Sequence, residues 1–179
     1  MKRTLLASLL ACLPFIVFAQ NYSIQLESGT FVPAVTTPAE AKGSPMEMVN
    51  GNYYRYIQFK TIPTEEQKAA ILAKGVKLYN YIPNNTYMAS IPALLDLATI
   101  DNGNIRTIFK MSQSRKLSTN LGKKQYPEWA LRGTGRIELN VLHQPDIPSA
   151  QVAELLRNKG AEVLHVLEQV ISSWILSRE

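Results

Sequence analysis

His143 and His165 are the only histidines in the 179-residue chain, and imidazole is the side chain best suited to proton transfer near neutral pH and to metal binding. No cysteine and no carboxylate cluster at ligand spacing accompanies them, so no metal site is expected. Both read as surface or half-buried strand residues. The stretch "RGTGR" (Arg132 to Arg136) has two glycines at dinucleotide-loop spacing, but the third position is Glu138 and the stretch precedes a strand. The fingerprint therefore fails and a linker turn remains. No serine lies in G-x-S-x-G. Glu65 and Glu66 are adjacent near a helix start, where acids favour the macrodipole. Tyr53, Tyr54, Tyr56, Tyr79, Tyr81 and Tyr87 could form a binding surface. Alternating tyrosines on a small sheet more often line the edge of a core. Chemistry by side chains is thus not expected: no catalytic residue, no cofactor and no metal.

The elements that carry these residues begin after a leader. "MKR" is followed by the apolar run "TLLASLLACLPFIVFAQ", ending in Val17-Phe18-Ala19. This is the pattern of a secretory signal peptide, with cleavage between Ala19 and Gln20. A lipoprotein reading at Leu10-Ala11-Cys12 is disfavoured because "LPFIVF" prolongs the apolar run past the cysteine. The run is too short and wrongly flanked for a membrane span, so no stable anchor is expected after its removal and a secreted or periplasmic location is. Cys12 is the only cysteine and leaves with the signal, so the mature chain must hold together by core burial alone. The formal charge of +5 falls by two without Lys2 and Arg3. Between Arg106 and Arg136 cations outnumber the single Glu128. They fall in the polar stretch "SQSRKLSTNLGKKQ", which reads as a solvated linker and not as a nucleic-acid face. Arg115, Lys116, Lys123 and Lys124 are its candidate processing residues.

An internal repeat organises the rest. At an offset of 85, Ile62-Pro63-Thr64 falls on Ile147-Pro148-Ser149 and Lys74-Gly75 on Lys159-Gly160. Thr64 and Ser149 are expected to cap helices, with Gln67 completing a capping box for the first. Positions 67, 70, 71 and 74, and likewise 152, 155, 156 and 159, form helical stripes. Gly75 and Gly160 sit where a left-handed helix stop is needed. In the first copy, "YYRYIQFK", "TEEQKAAILAK", the hairpin "KLYNYIPNNTYMASI", "ALLDLATID" and "IRTIFKM" spell β-α-β-β-α-β. That is the ferredoxin-like plan, an antiparallel sheet with two helices on one face. The second copy reads "RIELNVLHQ", "SAQVAELLRNK" and "EVLHVLEQVISSWIL", a truncated βαββ unit whose first strand keeps a bare edge. The expected class is α+β. Its divisions are signal 1–19, partly irregular leader 20–50, ferredoxin-like unit 51–112, basic linker 113–135 and incomplete second unit 136–179.

The phrase from Tyr53 to Pro92, with its "IPT" strand exit, "AKGV" helix stop and "YIPNNTYMASIP" hairpin, resembles the N-terminal prodomain region of secreted bacterial subtilisin-like (S8 family) serine peptidases. The resemblance continues through "PEWAL" and the second copy. It implies a folding chaperone and temporary inhibitor, with a subtilisin-like protease domain as partner in cis or in trans, the sheet packing on that domain and no nucleic acid involved. It makes Tyr81, Ile82 and Tyr87 a candidate protease-facing hairpin. The family's Asp, His and Ser motifs do not occur here, so no peptidase activity is carried over, and the early end of the second copy reads as a fragment of something longer. The competing reading is a stand-alone exported binding module that adds partners to exposed sheet edges.

Overall fold

The computed structural model describes residues 20–101, 103–133, 135–168 and 170–176. The segment expected to be a signal, with Ala19, lies outside the described residues, and Gln20 is the first of them. The fold is α+β, with antiparallel sheets throughout. The first sheet comprises β3 (Asn52–Phe59), β4 (Lys77–Ile82), β5 (Thr86–Pro92) and β6 (Ile105–Phe109) in the order β4-β5-β3-β6. Helix α2 (Glu65–Ala73) crosses from β3 to β4. Thr64 caps it as the sequence predicts, accepting from the Gln67 amide while the Gln67 side chain returns to the Thr64 amide. Its expected stripe narrows to Ile71, with Gln67 half-buried and Ala70 and Lys74 exposed.

The second helix of the plan does not form. "ALLDLATID" yields one 3-10 turn, Leu97–Ile100. Strand β5 uses the chain up to Pro92, and the Asp96 carboxylate captures the Ala98 amide while its carbonyl accepts from Thr99. That local bonding competes with a longer α-helix. Leu97 and Ile100 still reach the core with Ile57, Phe59, Ile71, Val76, Ala89 and Ile91.

The leader supplies the cover that the missing helix does not. Between irregular stretches, β1 (Ile24–Leu26) and β2 (Gly29–Phe31) make a hairpin, and α1 (Pro38–Lys42) follows, capped by a Thr37–Glu40 box. Ala41 of α1 joins the helix-side core. The hairpin lies on the opposite face, where Ile24, Leu26 and Phe31 pack with Tyr56, Ile82, Phe109 and Met111. Polar residues fix both parts. The Gln58 amide donates to Tyr22 O at 3.0 Å, and Thr107 Oγ1 donates to Ala34 O at 2.8 Å. Arg55, with its side chain 4% exposed, donates to Ala41 O at 2.7 Å and Lys42 O at 2.9 Å, and pairs with Glu47 at 2.6 Å.

The second sheet runs β7-β8-β10-β9, from β7 (Leu131–Arg132), β8 (Arg136–Leu142), β9 (Glu162–Leu167) and β10 (Val170–Leu176). Helix α4 (Ser149–Asn158) crosses from β8 to β9. Pro148 occupies the N-cap and Ser149 is already helical, so the expected Ser149 cap is absent. Its hydroxyl meets His143 Nε2 instead, at 3.0 Å. Ala153 is the buried residue of α4, flanked by half-buried Val152 and Leu156, while Leu155 of the expected stripe is exposed. The edge of the second copy's first strand is not wholly bare. β7 pairs with it at Leu131↔Ile137 and Arg132↔Arg136, turning through Gly133 and Gly135 at φ of 55° and 70°.

Gly43 tests the leader clamp. Its φ is +72°, and a Cβ there would run into Arg55 Nη2 and lie 2.9 Å from Glu47 Oε2. Gly43→Ala is expected to destabilise the chain by about 1–3 kcal/mol in urea unfolding. Ile24→Ala is expected to cost ~2–5 kcal/mol. A loosely lying leader would leave both variants at the parent's stability.

Candidate functional site: a groove beside β8

After β6 the chain crosses the tip of the leader hairpin. Arg115 stacks its guanidinium over Phe31 at 3.8 Å. Ser118 accepts from the Leu121 amide and starts the short helix α3 (Thr119–Gly122). Thr119 donates from its amide to Glu27 Oε1 at 3.0 Å and from its hydroxyl to Glu27 O at 2.6 Å. Residues 113–133, expected as part of a solvated linker, keep mostly exposed side chains but carry short helical turns and bonds to the leader, and so form a strap. The polar composition concealed this because the strap is held by capping and by contacts to the leader more than by apolar burial. A 3-10 turn at Glu128–Ala130, entered through Pro127, then delivers the chain to β7.

The strap, the hairpin tip and the outer edge of β8 enclose a groove of about 780 Å³. Leu117, Leu121, Tyr126 and Trp129 line one side and residues 137–142 of β8 the other. Trp129 is 67% exposed and Leu142 78%. The anions of the lining are engaged: Glu27 accepts from Thr119, and Glu138 pairs with Arg132 at 3.0 Å. Lys116, Lys123 and Lys124 make no ion pair among the described residues. No group of three or more His, Cys, Asp or Glu that could hold a metal is present among the described residues, and no described helix is long and apolar enough to cross a membrane.

A second polar cluster joins the two sheets. Tyr54 donates to Asp146 Oδ1 at 2.9 Å, and the Asn50 and Gln151 amides exchange two bonds of 3.0 Å. The Tyr79 hydroxyl is buried beside the same carboxylate but makes no hydrogen bond of acceptable geometry. Burial pushes the Asp146 carboxyl up, yet the facing hydroxyls of Tyr79, Tyr54 and Ser90 outweigh it, and the net shift is downward. Burial and the Asp146 charge push Tyr54 up to about 12.

The candidate hairpin residues do not share a surface. Tyr87 packs edge-on to Phe59 on the helix side, with Tyr81 against it at 5.2 Å, while Ile82 packs under the leader hairpin on the other face. Only Tyr81 is exposed. The turn itself follows the sequence reading: Asn84 and Asn85 are left-handed at φ of 67° and 59°. Asn84 reaches Ser23 O of the leader through its side-chain amide. Among the candidate processing residues, Arg115 is pinned by Phe31, Lys116 is exposed on the groove wall, and Lys123 and Lys124 end α3 in an exposed turn. Gln20 is anchored to Lys60 O. His143 is half-buried between Gln144 O and Ser149, and His165 is exposed on β9. The groove has no periodic signature because Trp129 and β7 lie in elements too short for periodicity to register; Pro127 and the glycines at 133 and 135 are its local signals.

A family model described as a domain of unknown function (DUF8729) matches residues 25–112, from β1 of the leader to the end of the first sheet. No curated protein and no solved structure matches the chain.

The Asp146 contact has a defined pH signature. Its folded value is lowered from 3.8, so its contribution is present above 3.8 and is lost as the pH falls through the lowered value. Tyr54 is raised from 10.0 to about 12, so its contribution is intact below 10.0 and lost as the pH rises through about 12. Asp146→Asn is expected to destabilise by roughly 1–2 kcal/mol at neutral pH in urea unfolding. The gap to the parent should close on acidification below 3.8. A gap that persists in acid would assign the effect to packing.

Proposed function

We propose that the chain is the non-catalytic prodomain region of a secreted subtilisin-like serine peptidase, and that it acts on the protease domain, in cis or in trans, as folding chaperone and temporary inhibitor. The observation that carries this reading is the four-stranded antiparallel order β4-β5-β3-β6, built from the Tyr53–Pro92 phrase that resembles that family. The leader hairpin and Asp146 already cover the face of this sheet opposite α2. In this reading the protease contact therefore falls to the second sheet and the strap. The catalytic Asp, His and Ser belong to the protease domain, and the chain itself is not an enzyme.

A second reading, an exported stand-alone module that binds proteins through a sheet edge, is favoured by the short β7, which among the described residues pairs with β8 only at Arg136 and Ile137. One experiment separates them. A denatured subtilisin-like protease domain is refolded with and without the chain, and hydrolysis of a chromogenic peptide is followed. The prodomain reading expects a higher yield of active protease and slowed hydrolysis before the chain is degraded. No change in either quantity removes it.

A further inference from the structure

The turn into β3 carries a chemical liability built into its fold. Val49 and Asn52 bridge to each other across Asn50 and Gly51, whose φ values are 51° and 77°. A two-residue turn with both central residues left-handed selects Asn-Gly. In the same dipeptide the asparagine side chain is open to attack by the next backbone nitrogen, because glycine puts no side chain in the way. Hydrogen bonds hold the reacting groups in place. Asn50 Nδ2 donates to Gln151 Oε1, and Gln151 Nε2 donates back to Asn50 Oδ1, both at 3.0 Å. Asn52 Nδ2 donates to Asn50 O at 3.2 Å, which fixes the peptide that contains the Gly51 nitrogen. Gln151 stands in the first turn of α4, and its own amide donates to Pro148 O at 2.9 Å. The Gly51 amide donates no hydrogen bond among the described residues, and both turn residues are exposed to water.

We propose that Asn50 is a site of spontaneous deamidation guarded by Gln151: the docked second sheet protects the turn, and the modification, once made, loosens the docking. The reaction takes water as its one co-reactant. The Gly51 nitrogen loses its proton and attacks Asn50 Cγ. A C–N bond forms, the Cγ–Nδ2 bond breaks, and the nitrogen leaves as ammonia with the proton it takes up. Water then opens the cyclic imide at one of its two carbonyls, giving aspartate or isoaspartate. Closing the ring brings Cγ to bonding distance of the Gly51 nitrogen and turns the amide out of its plane with Gln151. Both bonds to Gln151 must break first, so the reaction waits on local opening of the junction. Either product alters that junction. Aspartate keeps an acceptor for Gln151 Nε2 but loses the donor to Gln151 Oε1. Isoaspartate also adds a carbon to the main chain of a two-residue turn, so the Val49–Asn52 bridge no longer closes in its present geometry. The inference goes beyond both readings above and stands whichever of them holds.

The test uses the full chain from Gln20, aged at mildly alkaline pH and then digested with trypsin. The peptide from Gly43 to Arg55 contains Asn50. Mass spectrometry follows its deamidation, and labelling by an isoaspartyl methyltransferase identifies isoaspartate. Deamidation at Asn50 is expected to be at least ~tenfold slower in the folded chain than in the same chain unfolded in guanidinium. Gln151→Ala, at an exposed position, should keep the parent's circular dichroism spectrum and speed the folded-state reaction about fivefold or more. Gln151→Glu retains the acceptor for Asn50 Nδ2 and should fall between the two. Aged chain with its added negative charge is separated by ion exchange, and its amide hydrogen exchange across α4 is expected to be faster than in fresh chain. Three results each overturn the proposal: an Asn50 rate equal in folded and unfolded chain, a rate that Gln151→Ala leaves unchanged, and unaltered exchange across α4 in the modified chain.

Discussion

A guanidinium buried in a β-strand cannot be left to itself. Desolvating a charge without partners costs far more than one side chain's packing returns, so Arg55 obliges the surrounding chain to bring oxygens to it. The chain brings the carbonyls of Ala41 and Lys42, at the C-terminal end of α1, and the carboxylate of Glu47, which also holds Lys110 at 2.9 Å. On the other face, Gln58 and Thr107 are buried polar residues whose partners include Tyr22 O and Ala34 O. The first sheet therefore specifies its leader through buried polar groups, several of whose partners are leader carbonyls and the Glu47 carboxylate. The apolar contacts of Ile24 and Phe31 add energy, while the buried polar groups dictate where the leader must lie.

The same plan is completed differently in the two sheets. The first has a five-residue outer strand and a leader wrapped over both faces. The second has a two-residue outer strand, a helix with one buried residue, and many half-exposed apolar side chains, among them Val166 and Leu167 on β9. The Tyr54–Asp146 bond and the Asn50–Gln151 pair tie this weaker sheet to the stronger one by polar contacts. Such contacts orient the second sheet against the first through hydrogen bonds between side chains.

Much of this was legible in the residues. Thr64 and Gln67 identify the start of α2, Asn84 and Asn85 identify the hairpin turn, and Gly75 and Gly160 take up the left-handed stops at φ of 84° and 87°. Period-two alternation marked the hairpin strands and β6 of the first sheet, and the 85-residue offset marked where α4 and the strands on either side of it lie. What escaped was non-local. No pattern within 20–50 announces that its partners are Gln58 and Thr107, and "ALLDLATID" has a good helical stripe that Asp96 and Thr99 divert into one tight turn. The groove, likewise, is made by three segments distant in sequence, each unremarkable alone. Tyr81, Ile82 and Tyr87 looked adjacent because they are close along a hairpin, but a strand sends neighbours to opposite faces, and Ile82 went the other way.

The leader's anchorage has a temporal side. The chain is made from its N-terminus, so the β1–β2 hairpin and α1 emerge before the strands they cover. Thr36 waits for Thr107, 71 residues later, and Pro33 O waits 73 residues for Arg106. Contacts of such separation form late, because the entropy of closing the intervening loop must be met first. Tyr56 and Ile82 appear first, but until Phe109 and Met111 follow, the surface that Ile24, Leu26 and Phe31 cover is incomplete. The first of the described residues to be synthesised are thus among the last to be buried, and for that interval the leader is an apolar ribbon that has to be kept apart from its neighbours.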